Sequence, residues 1–221
     1  WGFSTNGITP ASPRDEDVEK TGLRCGADKL VVERGGRLRK LRVDLELNLS
    51  AITKGYAVDR IGTLLLEMEV MDWYVEIGGE VKVSGHNQNN RPWRIGIDWP
   101  DPTSAPGESL VRILHLENSA VATSGDYRNF HRGPDGRHIS HILDPRTNRP
   151  VTHNLASATI IAPTCMEADG IATAIMVMGP KQGKKWIEAT PNITGLLVIK
   201  EDGQFTVWES PEGTFLDGGT R

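Results

Sequence analysis

The chain has 221 residues, 38% hydrophobic and 24% charged, with a formal net charge of −4. That length can bury a sizeable core in one domain, the acidic balance argues against bulk attraction to nucleic acid, and no run approaches the apolar length of a membrane helix. The sequence opens at Trp1 without an initiator Met or a secretory leader, which suggests a processed or trimmed product, and Cys25 and Cys165 lack metal-ligand spacing.

Trp1 to Pro13 is predicted to be an irregular loop of Gly, Asn, Pro and Ser. Leu30-Val31-Val32, a Gly35-Gly36 turn and Leu38 to Val43 predict a hairpin. Ser50 to Met71 predicts a helix whose apolar stripe is Ala57, Ile61, Leu64, Leu65 and Met68. Trp73 to Ile77 and Val81 to Val83 predict strands flanking Gly78-Gly79, which is either a hairpin turn or a place of close backbone approach. Further strands are predicted at Trp93 to Asp98, Leu110 to Leu116, Ala120 to Thr123, His138 to Leu143 and Ala156 to Ile161, with a Pro/Gly/Ser loop over Asp101 to Glu108. Met166 to Met178 predicts a second main helix, opened by a capping box of Thr164 and Glu167 and stopped by Gly179-Pro180. A short helix over Lys181 to Ala189 and a hairpin over Asp202-Gly203, from Leu196 to Trp208, close the chain. The order of elements points to an α+β fold with a mostly antiparallel sheet and two main helices.

Four segments carry candidate chemistry. In Ser140 to Thr147 an extended backbone sends His141 and Leu143 one way and Ile142 and Asp144 the other, and Pro145 ends the strand. The plain alternative is a hydrogen-bonded core histidine with Asp144 holding a turn. Asp169 and Thr173, at i and i+4, project from one helix face. A carboxylate and a hydroxyl one turn apart suit Mg²⁺, which takes oxygen ligands and leaves room for phosphate; alternatively, Asp169 favours the helix N-terminus and Thr173 bonds back to the backbone. Lys54-Gly55-Tyr56 opens the first main helix, where free N–H groups plus a lysine make a phosphate site or the lysine is merely solvated. Ala122 to Tyr127, with Thr123, Ser124 and Asp126, ends a strand as a phosphate, ribose or base-positioning site, or as a plain turn.

Together these runs resemble the ApbE family, the FAD:protein FMN transferases. The matching segments are Leu49 to Asp59, Ile77-Gly78-Gly79-Glu80, Pro92 to Ile97, Ala120 to Tyr127, Ser140 to Pro150 and Ala168 to Ala174, in family order. The resemblance implies an ApbE-like (T-fold-like) core. It also implies an Mg²⁺-dependent transfer of FMN from FAD to a Thr or Ser hydroxyl of a target protein, releasing AMP. Asp169 and Thr173, with the main-chain oxygens of Ala51 and Ala172, would hold the metal. Asn48, Lys54, Glu80, Thr123 and Leu143 would contact FAD, and His141, or Asp126, would deprotonate or orient the acceptor hydroxyl. Asn48 stands where many members carry an acid, so it brings a hydrogen bond without charge. Members usually start with a Met-Gly-Thr-like segment that wraps the flavin, and the resemblance places it upstream of Trp1, so residues 1–221 are expected to be a single catalytic domain without it. The implied target is a redox-pump or electron-transfer subunit, and the implied setting is the periplasmic side of a bacterial inner membrane, as a lipoprotein. An FAD pyrophosphatase giving FMN and AMP, and a non-catalytic flavin-binding protein, are the alternatives.

Overall fold

The structure, a computed structural model, describes residues 13–127, 130–132, 138–211 and 215–217. In chain order the elements are α1 (Asp15–Gly22), β1 (Leu30–Val32), β2 (Leu38–Lys40), α2 (Ser50–Glu67), β3 (Trp73–Ile77), β4 (Glu80–Ser84), β5 (Trp93–Asp98), β6 (Leu110–Leu116), β7 (Ala120–Gly125), β8 (Phe130–Arg132), β9 (His138–Ser140), β10 (Leu143–Asp144), β11 (Arg149–Pro150), β12 (Leu155–Ala162), α3 (Cys165–Met178), α4 (Pro180–Ala189), β13 (Thr194–Glu201), β14 (Gln204–Glu209) and β15 (Phe215–Asp217). Among the described residues every strand pair is antiparallel, as expected for this α+β fold. The chain divides into two compact units, Trp1–Asn48 with Asn129–Thr152, and Leu49–Arg128 with His153–Arg221. Among the described residues, no helix is long and apolar enough to cross a membrane.

The larger unit is layered around a six-stranded sheet of order β14-β13-β12-β7-β4-β3. Side chains alternate across it. Val81, Val83, Val121, Leu196 and Val198 point to one face and bury against Ile95, Ile97, Val111, Leu114 and Leu116 of the three-stranded sheet β15-β6-β5. The opposite face carries α2, α3 and α4, with Val58, Trp73, Val75, Ala120 and Cys165 packed together beneath α2 and α3. Tight turns follow the glycines: Ile77 pairs with Glu80 across Gly78 and Gly79, whose φ values of 59° and 98° suit a two-residue hairpin turn. Asp202-Gly203 does the same between β13 and β14.

The expected stripe on α2 is corrected. Ile61, Leu64 and Met68 are exposed, and the face turned inward is Gly55, Val58 and Gly62, with Leu65 partly buried. A Cβ at Gly55 would lie 2.3 Å from the Cys165 carbonyl oxygen, and one at Gly62 would lie 2.5 Å from the Trp73 ring. Small residues therefore let α2 approach α3 and β3 more closely than leucines would, and apolar spacing alone does not reveal that face. The helix also stops at Glu67 rather than Met71. Glu69 takes φ 60° and the Val70 N–H reaches the Leu65 carbonyl at 3.0 Å, a Schellman-type end built without glycine.

The smaller unit holds α1, the β1–β2 hairpin, and the β8–β9 and β10–β11 pairs. The hairpin is as expected, with a shorter second strand. Helix α1 was not expected, although Asp15, Glu16 and Asp17 place negative charge in its first turn, where the helix dipole favours it. The loop expected over Trp1 to Pro13 lies, up to residue 12, outside the described residues. The predicted strand from His138 to Leu143 is broken: β9 ends at Ser140, whose Oγ accepts the Ile142 N–H at 3.1 Å and turns the chain before β10. The alternation expected of His141, Ile142, Leu143 and Asp144 therefore does not hold as one strand, while β10 does stop at Asp144, before Pro145.

Candidate functional site

Two helices bring the metal and phosphate candidates of the larger unit together. Thr164 caps α3 by accepting the Glu167 N–H at 3.2 Å, and its hydroxyl donates to Glu167 Oε2 at 2.7 Å. With α3 starting at Cys165, Asp169 falls on the buried side, only 4% exposed. Its Oδ2 accepts the Gly55 N–H of α2 at 3.0 Å. Gly55 lies one turn beyond Ala51 on α2. The other carboxylate oxygen makes no hydrogen bond among the described residues. Burial pushes the Asp169 carboxyl above its ordinary range, against the pull of the Gly55 N–H and of the Lys54 charge.

Lys54, next to Gly55, places Nζ 2.6 Å from Glu80 Oε2 at the start of β4. Glu80 is 2% exposed while the lysine is half in solvent. Burial raises the Glu80 carboxyl; Lys54 opposes that and the Asp169 charge adds to it. Among the described residues, Lys54 is the partner that holds Glu80 Oε2, by close contact and charge. Gly78 lies beside the pair, its Cβ position 3.5 Å from the Lys54 stem and 3.8 Å from Glu80 Oε2. The cluster is thus one partly exposed cation over two desolvated carboxyls.

Thr173, one turn beyond Asp169, is half-buried, and its hydroxyl lies 3.1 Å from Ser124 Oγ of β7. Ser124 belongs to the candidate run Ala122 to Tyr127, and the family resemblance gives it no role of its own. Thr123, the expected FAD contact, pairs with Thr159 at 2.8 Å on the opposite face of the sheet, away from α3. Hydroxyls on both faces of β7 hid the parity, and strand pairing alone decides it. Asp126 follows β7, with its N–H on the Ala156 carbonyl at 3.3 Å. Ala172 is fully buried on α3 and Ala51 is half-buried in the first turn of α2.

The remaining candidates belong to the smaller unit. His141 is half-buried between buried Ser140 and Ile142, Leu143 is 40% exposed, and Asn48 is exposed. Asp144 takes the plainer of its two readings: it accepts from the Arg146 N–H at 2.9 Å and Nη2 at 2.7 Å, and its carbonyl accepts the Asn148 N–H at 2.7 Å, closing the β10–β11 turn.

The donor chemistry fits a hard divalent cation. Among the described residues no three of His, Cys, Asp and Glu converge. A half-satisfied buried carboxylate, a hydroxyl one turn away and nearby helix carbonyls are all oxygens, the set that Mg²⁺ completes with water and phosphate. Cys165 supplies no thiolate: burial, then the charges of Asp59, Glu80 and Asp169, push its thiol up to about 12.

A model of the ApbE family matches residues 1–197. A FAD:protein FMN transferase of Vibrio cholerae is 38% identical over 210 residues, covering 95% of this chain and 61% of that protein. One of Klebsiella pneumoniae is 34% identical over 222 residues, covering 99% and 62%. Among solved structures, the flavin transferase ApbE from Vibrio cholerae superposes with a TM-score of 0.82 at 36% identity, over 96% of this chain and 65% of that one. The apo flavinyl transferase ApbE of Pseudomonas stutzeri gives a TM-score of 0.81 at 36% identity, over 96% and 63%. The chain spans about three-fifths of the length of the curated relatives it matches.

Proposed function

The chain belongs to the ApbE family, and from that premise we propose that it transfers FMN from FAD to a hydroxyl of a protein acceptor. The relatives are named for this activity. The observation that carries the reading is the buried, half-satisfied Asp169 beside the Lys54–Glu80 pair. That grouping suits a polyphosphate accompanied by a cation and would be a poor choice for structural purposes alone, since each buried carboxyl costs free energy.

In this reading the acceptor oxygen attacks the phosphorus of the FMN half, the bond to the AMP oxygen breaks, and AMP leaves. Asp169 and Thr173, with the carbonyls of Ala51 and Ala172, hold Mg²⁺; bound there, the cation neutralises diphosphate charge. Lys54 exchanges part of its contact with Glu80 for phosphate oxygen, so that Glu80 keeps the lysine positioned while the site is empty of anion. Asn48 and Leu143 contact the flavin nucleotide. Deprotonation of the acceptor hydroxyl is assigned to His141, with Asp126 second, a role that rests on the family resemblance. Residues 1–221 act as one catalytic domain, on the periplasmic side of an inner membrane, toward an electron-transfer subunit.

The test is to incubate the protein with FAD, Mg²⁺ and a target-domain peptide, then weigh the peptide. Addition of an FMN mass supports the proposal. FMN and AMP beside an unmodified peptide would mean an FAD hydrolase, and intact FAD would mean a binding protein; either result overturns it.

A further inference from the structure

Asp59 lies on α2 one turn beyond Gly55, and none of the roles above uses it. Its Oδ1 accepts the Cys165 N–H at 3.0 Å and its Oδ2 accepts the Met166 N–H at 2.9 Å. Lys82 of β4 places Nζ 2.6 Å from Oδ1, and both side chains are mostly buried. Cys165 and Met166 open α3, where N–H groups have no acceptor within the helix and negative charge is favoured. Thr164 serves the Glu167 N–H, so Asp59 completes the cap of α3 from a different helix.

The spacing gives this cap a second consequence. Asp59 and Gly55 are four residues apart on α2, and Cys165 and Asp169 are four apart on α3. The two helices are therefore pinned at two points one turn apart, Asp59 to the Cys165 and Met166 amides, and the Gly55 amide to Asp169. Two pins fix both the slide and the rotation of α3 against α2, where a single one would leave the helix free to pivot. Lys82 ties the same carboxylate to β4, the strand that begins with Glu80.

We propose that Asp59 is a positioning residue for the Asp169–Thr173 oxygen pair, setting the place of α3 so that those oxygens meet the cation. This rests on the functional reading above. The test is to titrate wild type, Asp59→Asn and Asp59→Ala with Mn²⁺ alone, counting free Mn²⁺ by electron paramagnetic resonance, with thermal unfolding recorded in parallel. Asp59→Asn keeps one acceptor oxygen and so tests the proposal even if Asp59→Ala does not fold. Groups that orient metal ligands at one remove typically contribute 10-fold or more, so Mn²⁺ affinity should fall about tenfold in Asp59→Ala and less in Asp59→Asn. The half-saturating Mg²⁺ in flavin transfer should rise in step, with turnover recovering at saturating Mg²⁺. A role confined to fold stability would lower the number of occupied sites and leave the affinity of each unchanged, and that result, or wild-type affinity in both variants, overturns the proposal. If wild type itself binds no Mn²⁺, the metal site of the functional reading fails, and this proposal falls with it.

Discussion

Gly55→Ala is the sharpest perturbation of the helix contact on which the site depends. The added methyl would lie 2.3 Å from the Cys165 carbonyl oxygen, 2.6 Å from its carbon and 2.8 Å from the Met166 Cα, all backbone atoms that cannot swing aside. Relief to ordinary van der Waals distance requires α2 and α3 to separate by roughly 1 Å. Overpacking of this kind costs about 3 kcal/mol at the upper end of its usual range, and the better helix propensity of alanine returns about 1 kcal/mol. The net loss of about 2 kcal/mol corresponds to a fall in Tm of roughly 4–8 °C for a chain of this size. The same movement stretches the 3.0 Å contact from Gly55 N–H to Asp169 beyond hydrogen-bonding range, so Mn²⁺ binding should weaken as well. Gly170→Ala on α3 is the control: its Cβ would meet only the Ile52 methyl, at 3.0 Å, and Tm should hold or rise. Calorimetry with and without Mn²⁺ reads both effects. A Tm for Gly55→Ala equal to or above wild type would refute the close-approach argument, because helix propensity alone would then account for the outcome.

Asp169→Asn should stabilise the metal-free protein at pH 8 relative to wild type and abolish the rise in Tm on adding Mg²⁺. Burial holds the Asp169 carboxyl above its ordinary value, so the folded state keeps its proton longer than the unfolded chain does. Wild-type stability therefore falls as pH climbs from the ordinary carboxylate range to that elevated value and is level above it; a variant with the wild-type slope would contradict this. Lys54→Met leaves Glu80 buried without its cation, and the loss in Tm should be larger at pH 8 than at pH 5, since only the charged carboxylate misses its partner; equal losses at both pH values would count against the pair. Ser124→Ala should weaken Mn²⁺ binding through Thr173, whereas Thr123→Val, on the other face of the sheet, should cost about 1 kcal/mol in unfolding free energy and leave Mn²⁺ binding unchanged; the reverse pattern would show that the sheet faces are wrongly assigned. His141→Asn should lower turnover far more than FAD affinity; loss of affinity with turnover preserved at saturation would make His141 a binding residue instead.

Much of the candidate site was legible in the sequence because its spacing is local. Asp169 and Thr173 share a helix face by i, i+4 geometry, and the Thr164–Glu167 signature fixed where that helix starts. Lys54 and Gly55 stand at the head of α2 as the residue order requires, and the hairpins at Gly78-Gly79 and Asp202-Gly203 follow from residues that tolerate positive φ. The pairing of Lys54 with Glu80 and the contact of Thr173 with Ser124 were not legible. The first joins a helix to a strand 26 residues on. The second depends on which face of β7 meets α3, and a strand with hydroxyls on both faces does not declare that.

Most element types and the antiparallel α+β class were readable from the residues alone, as was the i, i+4 spacing of Asp169 and Thr173, since propensity, capping and turn chemistry act over a few residues. Only the tertiary structure decided that α2 buries its glycines and exposes Ile61, Leu64 and Met68, that His141 sits in a break between two short strands, and that Asp59 caps α3 from α2. The physical reason is common to all three. Backbone-to-backbone closeness and long-range hydrogen bonds are set by how elements stack, and hydrophobic periodicity, which scores side chains one element at a time, carries no information about the distance between two helices.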